Sequence, residues 1–251
     1  MCLIAIAYRA HPDCELVVAA NRDEFHARPA LAADWWPDAP QVWGGRDQSA
    51  GGSWMAVSRE GRFAAVTNVR RMLPPKPDAP SRGALVSDFV RGQQSPEEFL
   101  QQLAQSAAGY AGFNLLLYAG GELHHAGNLP QFQSHRMEPG IHTVSNASLN
   151  TPWPKSRRLA AAMENWLVDS AGDTEALFTA LADRTPAPDD ELPDTGVGIE
   201  MERFLSPPFI CSERYGTRAS TVIQLSETGV MQAMERRYSA SGEAGGQNVL
   251  G

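Results

Sequence analysis

Near both ends of the chain, hydrophobic residues occur in short runs of the kind that form β-strands. Residues 2–8 and 15–20 are two such runs, and the turn sequence Arg9-Ala10-His11-Pro12-Asp13 separates them. Residues 217–225 and 230–238 flank a second turn near the C-terminus. We therefore predict an antiparallel hairpin at each end of the fold.

Between these hairpins, the hydrophobic pattern predicts further strands and a group of helices. The remaining predicted strands are 53–58, 62–68, 113–118, 122–125 and 142–145. The predicted helices are 81–91, 95–106, 155–168 and 173–182. Paired strands with helices grouped between them indicate the α+β class, in which two sheets pack face to face and the helices lie outside.

Other stretches are predicted to lack regular structure. Residues 28–43 are rich in Pro and Trp and predict a long ordered loop, and the prolines within 74–80 predict a rigid connector. Residues 185–198 are rich in Pro, Asp and Gly and are predicted to form an irregular connection between layers. Residues 1–238 are predicted to form a single domain, and the Gly- and Ser-rich residues 239–251 a flexible tail.

Composition excludes several classes of function. The net charge of −8 and the lack of a dense basic cluster argue against nucleic-acid binding. No window approaches the roughly 20 apolar residues of a membrane-spanning helix, and no secretory signal is recognised. Three scattered cysteines fit a reducing compartment, so we expect a cytoplasmic protein. The six histidines lack ligand spacing, and we expect neither a metal nor a cofactor.

The strongest candidate for chemistry is Cys2, at the start of the first predicted strand. Initiator methionine is normally removed when the second residue is small, which would leave Cys2 with both a thiol and a free α-amine. A thiol has a pKa near ~8.5 and needs a base to become nucleophilic. An α-amine, with a pKa of roughly 7.7–8.0, can be that base. A buried structural cysteine is the alternative interpretation.

Polar residues at predicted strand ends form a second group of candidates. Asn21-Arg22-Asp23-Glu24 follows the partner strand of Cys2, which places Arg22 and Asp23 near the thiol. Asn68 and Asn146 end two other strands and could donate hydrogen bonds to an oxyanion. Arg218 begins the last long strand. The alternative interpretation of residues 21–24 is a surface ion pair that caps a turn, and that of Arg218 is a charge at a sheet edge.

Several short segments of the chain together form an ordered and specific set. They are Met1-Cys2-Leu3-Ile4, Asn21-Arg22-Asp23-Glu24, Gly45-Arg46-Asp47, Gly51-Gly52-Ser53-Trp54, Ala65-Val66-Thr67-Asn68, Gly112-Phe113-Asn114-Leu115, Val144-Ser145-Asn146 and Tyr215-Gly216-Thr217-Arg218. With these segments the chain resembles the NRDE family, whose named eukaryotic member is transport and Golgi organisation protein 2. That family in turn resembles N-terminal nucleophile hydrolases of the choloylglycine and penicillin V acylase type. The resemblance implies a four-layer αββα sandwich.

The resemblance also implies roles for the candidate residues. Cys2 corresponds to the nucleophile, Arg22 and Asp23 flank it, and Asn68 and Asn146 stabilise the oxyanion. Arg218 corresponds to a late arginine of the acylase site. The acylases place their first Arg and Asp three positions apart, whereas here the two are adjacent, so Asn21 is an alternative occupant of part of that position.

Two functions are consistent with these residues. The first is hydrolysis of a linear non-peptide amide by Cys2 through a thioester intermediate. The second, suggested by the lipid, acyl-CoA and haem handling of eukaryotic relatives, is binding of an acyl group or haem without catalysis. Asn21, Trp36 and Trp54 are the candidate substrate-binding residues. The sequence does not give the oligomeric state.

Overall fold

The computed structural model describes residues 2–70, 78–169 and 173–250, and within them the chain forms two antiparallel sheets. Most of the connector predicted at 74–80 lies outside the described residues. In spatial order, the six-stranded sheet contains β10 (Gly140–Val144), β1 (Cys2–Tyr8), β2 (Leu16–Phe25), β11 (Tyr215–Ser226), β12 (Gly229–Tyr238) and β13 (Ala244–Leu250). The two hairpins predicted at the chain ends are therefore neighbours in this sheet, because β2 pairs with β11.

The second sheet has seven strands in sequence order. They are β3 (Ala30–Trp36), β4 (Ala39–Asp47), β5 (Met55–Ser58), β6 (Phe63–Asn68), β7 (Phe113–Ala119), β8 (Glu122–Gly127) and β9 (Gln133–Arg136). Helices fill the long connections: α1 (Arg82–Arg91), α2 (Pro96–Ala104), α3 (Pro154–Asp169), α4 (Glu175–Leu181) and α5 (Ile199–Phe204). A capping box formed by Ser95 and Glu98 starts α2.

Three hydrophobic clusters divide the fold into four layers. Ile4 and Ile6 of β1 face the seven-stranded sheet and belong to the central cluster. Leu3 and Ala5, on the other face of β1, pack against α3 and α4. The outer face of the seven-stranded sheet packs against α1 and α2. This αββα arrangement confirms the predicted fold class, and the alternation along β1 fixes which side chains lie between the sheets.

The prediction of a long loop at residues 28–43 is wrong, because this stretch forms most of the β3–β4 hairpin. Trp35 pairs with Trp43 across the two strands. Pro29 precedes β3 and Pro37 lies in the turn between the strands, so these prolines bound the hairpin rather than interrupt it.

The C-terminal segment also differs from the expected flexible tail. Residues 244–250 form β13, which pairs with β12 from Ala233↔Leu250 to Tyr238↔Ala244. The edge of β12 offers backbone hydrogen-bonding groups, and β13 satisfies them despite its Gly-rich sequence. The short elements β9 and α5 were not predicted from the sequence either.

A close contact between Gly52 and Gly83 holds the start of α1 against the β4–β5 loop. A Cβ atom on Gly52 would lie 2.4 Å from the carbonyl carbon of Gly83, and the Ser53 amide donates to the Gly83 oxygen at 3.2 Å. The β4–β5 loop therefore packs backbone to backbone on the first turn of α1.

We expect Gly52→Ala to destabilise the protein by about 1–3 kcal/mol, because two backbone segments must move apart to admit the methyl group. Thermal or urea unfolding measures the change. Gly109→Ala is the matched control, since a Cβ there meets nothing within 4 Å. Equal stabilities of the two variants would contradict this packing argument.

Candidate active site

A cavity of about 670 Å³ opens where β1 and β11 begin and β2 and β6 end, beside the first turn of α1. Among the candidate catalytic residues, Cys2, Arg22, Asp23, Asn68 and Arg218 all line it. Residues that are up to 216 positions apart in sequence therefore meet at one place. Convergent polar groups in a concave site are typical of substrate binding and catalysis.

Cys2 is the first residue of β1 and lies opposite Arg22 in the β1–β2 pairing. The residue is 7% exposed, and the Ser145 hydroxyl donates to its carbonyl oxygen at 2.9 Å. Burial raises the pKa of the Cys2 thiol, and the Asp23 charge raises it further. The Arg22 charge and a hydrogen bond from the Asp23 backbone N–H lower this pKa without outweighing burial. The thiol is thus held in place without being activated.

Arg22 and the neighbouring arginine Arg28 share one carboxylate. The Arg22 Nη2 atom lies 3.6 Å from Asp47 Oδ2, and Arg28 Nε donates to the same oxygen. Burial raises the pKa of Asp47, but the hydrogen bond and charge of Arg28, together with hydrogen bonds from the Ala50 and Ser49 backbone, hold this pKa below its usual range. The Arg46-Asp47 segment, whose place relative to the site the sequence left open, therefore supplies the anion that fixes Arg22 beside Cys2.

Asp23 lies on the opposite face of β2 from Arg22, toward the helical layer, and still borders the cavity because it is near the end of the strand. Its Oδ1 atom accepts a hydrogen bond from Thr217 Oγ1 at 2.7 Å, and the two residues are partners in the β2–β11 pairing. Burial raises the pKa of Asp23, while the charge of Lys155 is the strongest influence that lowers it. Asp23 thus links the end of β2 to both β11 and α3.

A β-bulge places Arg218 at the cavity. Thr217 pairs with Asp23 and Ala219 with Arg22, so Arg218 is the extra residue of β11. A bulge turns one side chain away from the regular alternation. The Arg218 Nη1 atom donates to the carbonyl oxygens of Phe25, His26 and Arg28 at 3.1–3.2 Å. Arg218 therefore holds the chain segment that follows β2 against the cavity.

The two predicted oxyanion residues have different positions. Asn68, at the end of β6, lines the cavity. Asn146 is fully buried, and its Nδ2 atom donates to the Asn68 carbonyl oxygen at 2.9 Å. Its Oδ1 atom accepts a hydrogen bond from Ser145, the residue that also binds Cys2. Asn146 therefore connects β1 to Asn68, and of the two asparagines Asn68 lines the cavity.

Of the three predicted substrate-binding residues, Trp54 lines the cavity and the other two lie elsewhere. Asn21 is buried on the helix-facing side of β2, where its Nδ2 atom donates to the carbonyl oxygens of Leu181 and Pro208. Trp36 packs beneath α1, and its Nε1 atom donates to a backbone oxygen of β4. Strand alternation turns both side chains away from the cavity, so the structure gives them packing roles in place of the expected substrate contacts.

Sequence reasoning missed Lys155, the second residue of α3. It is 2% exposed, and its Nζ atom forms no hydrogen bond with any residue the structure describes. Burial lowers the pKa of Lys155 to about 8, although the charge of Asp23 opposes this shift. A sequence signal exists: only two of the 21 Lys and Arg residues are lysines.

The cavity wall is rich in arginine although the net charge of the chain is −8. Its arginines are Arg22, Arg28, Arg46, Arg82, Arg218 and Arg237, and its carboxylates are Asp23, Glu24, Asp47 and Glu235. Burial raises the pKa of Glu235, whose Oε1 atom accepts the Ala33 N–H at 2.8 Å.

Within the described ranges, no group of three or more His, Cys, Asp or Glu residues is arranged to hold a metal ion. In the same ranges, no helix has the length and apolarity to cross a membrane.

Sequence comparison identifies the family. The family model for transport and Golgi organisation 2 matches residues 1–240. The chain belongs to this family. A transport and Golgi organization 2 homolog of Mus musculus is 30% identical over 94% of this chain and 92% of its own. The Homo sapiens homolog is 29% identical over the same shares, and the Drosophila melanogaster protein is 26% identical over 94% and 91%.

Solved structures with the same fold are N-terminal nucleophile hydrolases. A C2A mutant of the conjugated bile acid hydrolase from Clostridium perfringens superposes with a TM-score of 0.56 and 9% identity, covering 100% of this chain and 92% of that one. A Caenorhabditis elegans ortholog of N-acylethanolamine-hydrolyzing acid amidase gives 0.53 and 7%, covering 99% and 100%. Penicillin V acylase from Agrobacterium tumefaciens gives 0.53 and 12%, covering 99% and 90%. At these identities the likeness shows the shared fold.

The burial of Lys155 predicts how the stability of this family member depends on pH. Its pKa is about 8 in the folded protein and near 10.5 in an unfolded chain. Between these values the unfolded state binds the additional proton, so the free energy of unfolding rises with pH. We expect the free energy of unfolding to increase by about 3 kcal/mol between pH 8 and 10.5.

Urea unfolding of the wild type and Lys155→Met between pH 7.5 and 10.5 tests this expectation. The variant lacks the titrating amine, so the stability difference between the two proteins should change across the window. Parallel stability curves would show that Lys155 titrates alike in the folded and unfolded states.

Proposed function

We propose that this protein is an N-terminal-cysteine amidohydrolase that cleaves a linear, non-peptide C–N bond. The observation that carries the proposal is the position of Cys2, which begins β1 and lines a cavity together with Arg22, Asp23, Asn68 and Arg218. Three structural neighbours with the same fold are named as an amidase, a hydrolase and an acylase, which supports this class of reaction.

The burial of the thiol determines what the reaction requires. Because burial raises the pKa of Cys2, little thiolate is present at neutral pH, and a base must remove the proton during attack. Among the residues that the structure describes, no histidine lines the cavity. The α-amine that removal of Met1 would expose on Cys2 itself is the base that we propose.

The reaction then proceeds in two balanced steps. The α-amine takes the thiol proton while sulfur attacks the amide carbonyl carbon, and the oxyanion accepts a hydrogen bond from the Asn68 side chain. Collapse of this intermediate breaks the C–N bond, and the α-ammonium returns its proton to the leaving amine. Water, deprotonated by the same α-amine, attacks the thioester carbonyl; the products are a carboxylic acid and the free thiol.

The other predicted residues orient these groups. The Asp23 charge acts on the Cys2 thiol, and we propose that the Asp23 carboxylate accepts a hydrogen bond from the α-amine. Arg22, fixed by Asp47, and Arg218 form the adjoining cavity wall. The arginines of this wall favour a substrate that carries an anionic or strongly polar group. The three cysteines are free thiols, which suits a reducing compartment, and we propose that the protein acts in the cytoplasm.

We expect Cys2→Ala to abolish amide hydrolysis without unfolding the protein, because the variant removes the nucleophile and only one sulfur atom of packing. Product release from a panel of linear amides, with and without a carboxylate on the substrate, measures activity. Intact mass establishes that Met1 is absent from the wild type and detects a thioester adduct at Cys2. Cys211→Ala, at an exposed cysteine, is the matched control and keeps full activity.

Turnover by Cys2→Ala would sink this mechanism. Binding of acyl-CoA or haem by both wild type and Cys2→Ala, with no hydrolysis of any amide, would favour the non-catalytic alternative on the same fold. The test therefore separates the two functions with one pair of proteins.

We expect Asn68→Ala to lower kcat by about 10²–10³-fold with a smaller change in KM, because a donor to the oxyanion acts mainly in the transition state. Steady-state kinetics with a substrate from the amide panel measures the two constants. Trp54→Phe, which also changes the cavity wall, is the comparison and should alter KM more than kcat. An unchanged kcat in Asn68→Ala would remove this residue from the proposed oxyanion site.

A further inference from the structure

Lys155 is a buried cation directly behind the candidate nucleophile strand. Its Nζ atom forms no hydrogen bond with any described residue, and the side chain lies outside the wall of the large cavity. Burying an ammonium group without hydrogen bonds costs several kcal/mol. This lysine therefore reduces stability, and its position calls for a chemical explanation.

The neighbouring charges leave Asp23 as the main counter-charge of Lys155. Glu202 is engaged by other groups: its Oε2 atom lies 2.6 Å from Arg70 Nη1, and its Oε1 atom accepts the Thr195 N–H at 2.8 Å. Of all the carboxylates, Asp23 acts most strongly on Lys155, and Lys155 is the charge that most lowers the pKa of Asp23. The two charges thus stabilise each other across the layer boundary.

Strand alternation explains why these two groups meet. Leu3 of β1 lies on the helix-facing side of the six-stranded sheet and packs with Leu159 and Met163 of α3. Asp23 lies on that same side of β2, while Arg22 faces the cavity. Lys155 begins α3 and therefore approaches Asp23 from the helical layer. The Asp23 charge acts on both the lysine and the Cys2 thiol.

The choice of lysine is itself informative. Nearly all cationic positions of this chain are arginine, and only two are lysine. An ammonium is a compact point charge whose pKa responds to burial, whereas a guanidinium stays charged and seeks several hydrogen bonds. A confined site without hydrogen-bond partners accommodates the first group and not the second.

We propose that Lys155 is a positioning residue for the reaction at Cys2: its charge, acting through Asp23, keeps the α-amine of processed Cys2 neutral. The inference rests on the proposed function, since it requires removal of Met1. A carboxylate beside two amines compensates fully for only one positive charge. The pKa of Lys155 in this site, about 8, is close to the ordinary pKa of an α-amine, roughly 7.7–8.0. The two amines therefore compete for the one charge that the carboxylate compensates, and the positive charge on Lys155 lowers the pKa of the α-amine.

The pH dependence involves a small set of groups around Lys155. The charged and titratable groups that act on it are Cys2 of β1, Asp23 of β2, Arg70 after β6 and Glu202 of α5. Tyr215 of β11 joins this set through its interactions with Asp23 and Arg70. The pH dependence of the Cys2 alkylation rate must therefore be compared between the wild type and variants rather than interpreted in the wild type alone.

The test measures the alkylation rate of Cys2 by iodoacetamide between pH 5.5 and 9.5 in protein whose intact mass lacks Met1. Peptide mass spectrometry reports Cys2 and the exposed Cys211 in the same sample, so Cys211 is an internal reference. In Lys155→Met the α-amine keeps its proton to higher pH. We expect the midpoint of the Cys2 rate to rise by about one pH unit, a roughly tenfold slower reaction below the midpoint.

The wild type alone gives a second readout. With lysine labelled at ¹³Cε, the protein has two resonances, and Lys76→Arg assigns them. A Lys155 resonance that senses the α-amine titrates in two steps, because coupled groups share their macroscopic transitions. A single-step titration would contradict the coupling, even if Lys155→Met failed to fold.

The outcomes separate the two proposals. If wild-type Cys2 reacts no faster than Cys211 at any pH, no base activates the thiol, and the proposed function fails together with this inference. If wild-type Cys2 is activated and Lys155→Met has the same midpoint, the role of Lys155 fails alone. A raised midpoint in Lys155→Met with a normal Cys211 rate supports the inference.

Discussion

The register between β1 and β2 is the constraint on which the candidate site depends. Cys2 pairs with Arg22, so the thiol and the guanidinium lie side by side on the face between the two sheets. Because side chains alternate along a strand, Asn21 and Asp23 face the helical layer. A slip of one residue would exchange these faces and place an amide or a carboxylate beside the thiol. Residues 3–7 are buried on both faces, but Ile4 and Ile6 pack between the sheets whereas the smaller Ala5 and Ala7 face the helices. A slip would exchange side chains of different size in two packed layers, which opposes it.

Local sequence signals predicted much of this site. The apolar run after Cys2 and the polar segment after the second strand were sufficient to place Arg22 and Asp23 near the thiol. The face of the sheet on which each side chain lies depends on the register between β1 and β2, and no local sequence pattern gives that register. Asn21 was therefore expected at the substrate although it binds backbone oxygens near the helices. Trp36 was expected in a loop because prolines are uncommon inside strands, so the prolines of residues 28–43 argued against the β3–β4 hairpin that forms there.

Long-range pairing explains the other differences. The strand β13 depends on the free edge of β12 rather than on its own Gly-rich sequence, and Arg218 reaches the cavity because of a bulge relative to β2. The sequence around Lys155, with Pro154 before it and Ser156-Arg157-Arg158 after it, indicates only the start of a helix. Its environment is formed by Asp23, Arg70 and Glu202, which come from three separate parts of the chain.

The energetics of burial then connect the fold to its chemistry. The sheets that hold Cys2 in place also raise the pKa of its thiol, so the same packing that orients the nucleophile suppresses its ionised form. Activation must come from a group that is close to the sulfur and neutral at working pH. An α-amine on Cys2 meets the first condition by covalent attachment, and the buried cation behind Asp23 favours the second. A chain that retains Met1 has an amide nitrogen at this position, so removal of one residue would decide whether the site can act as an enzyme or only bind.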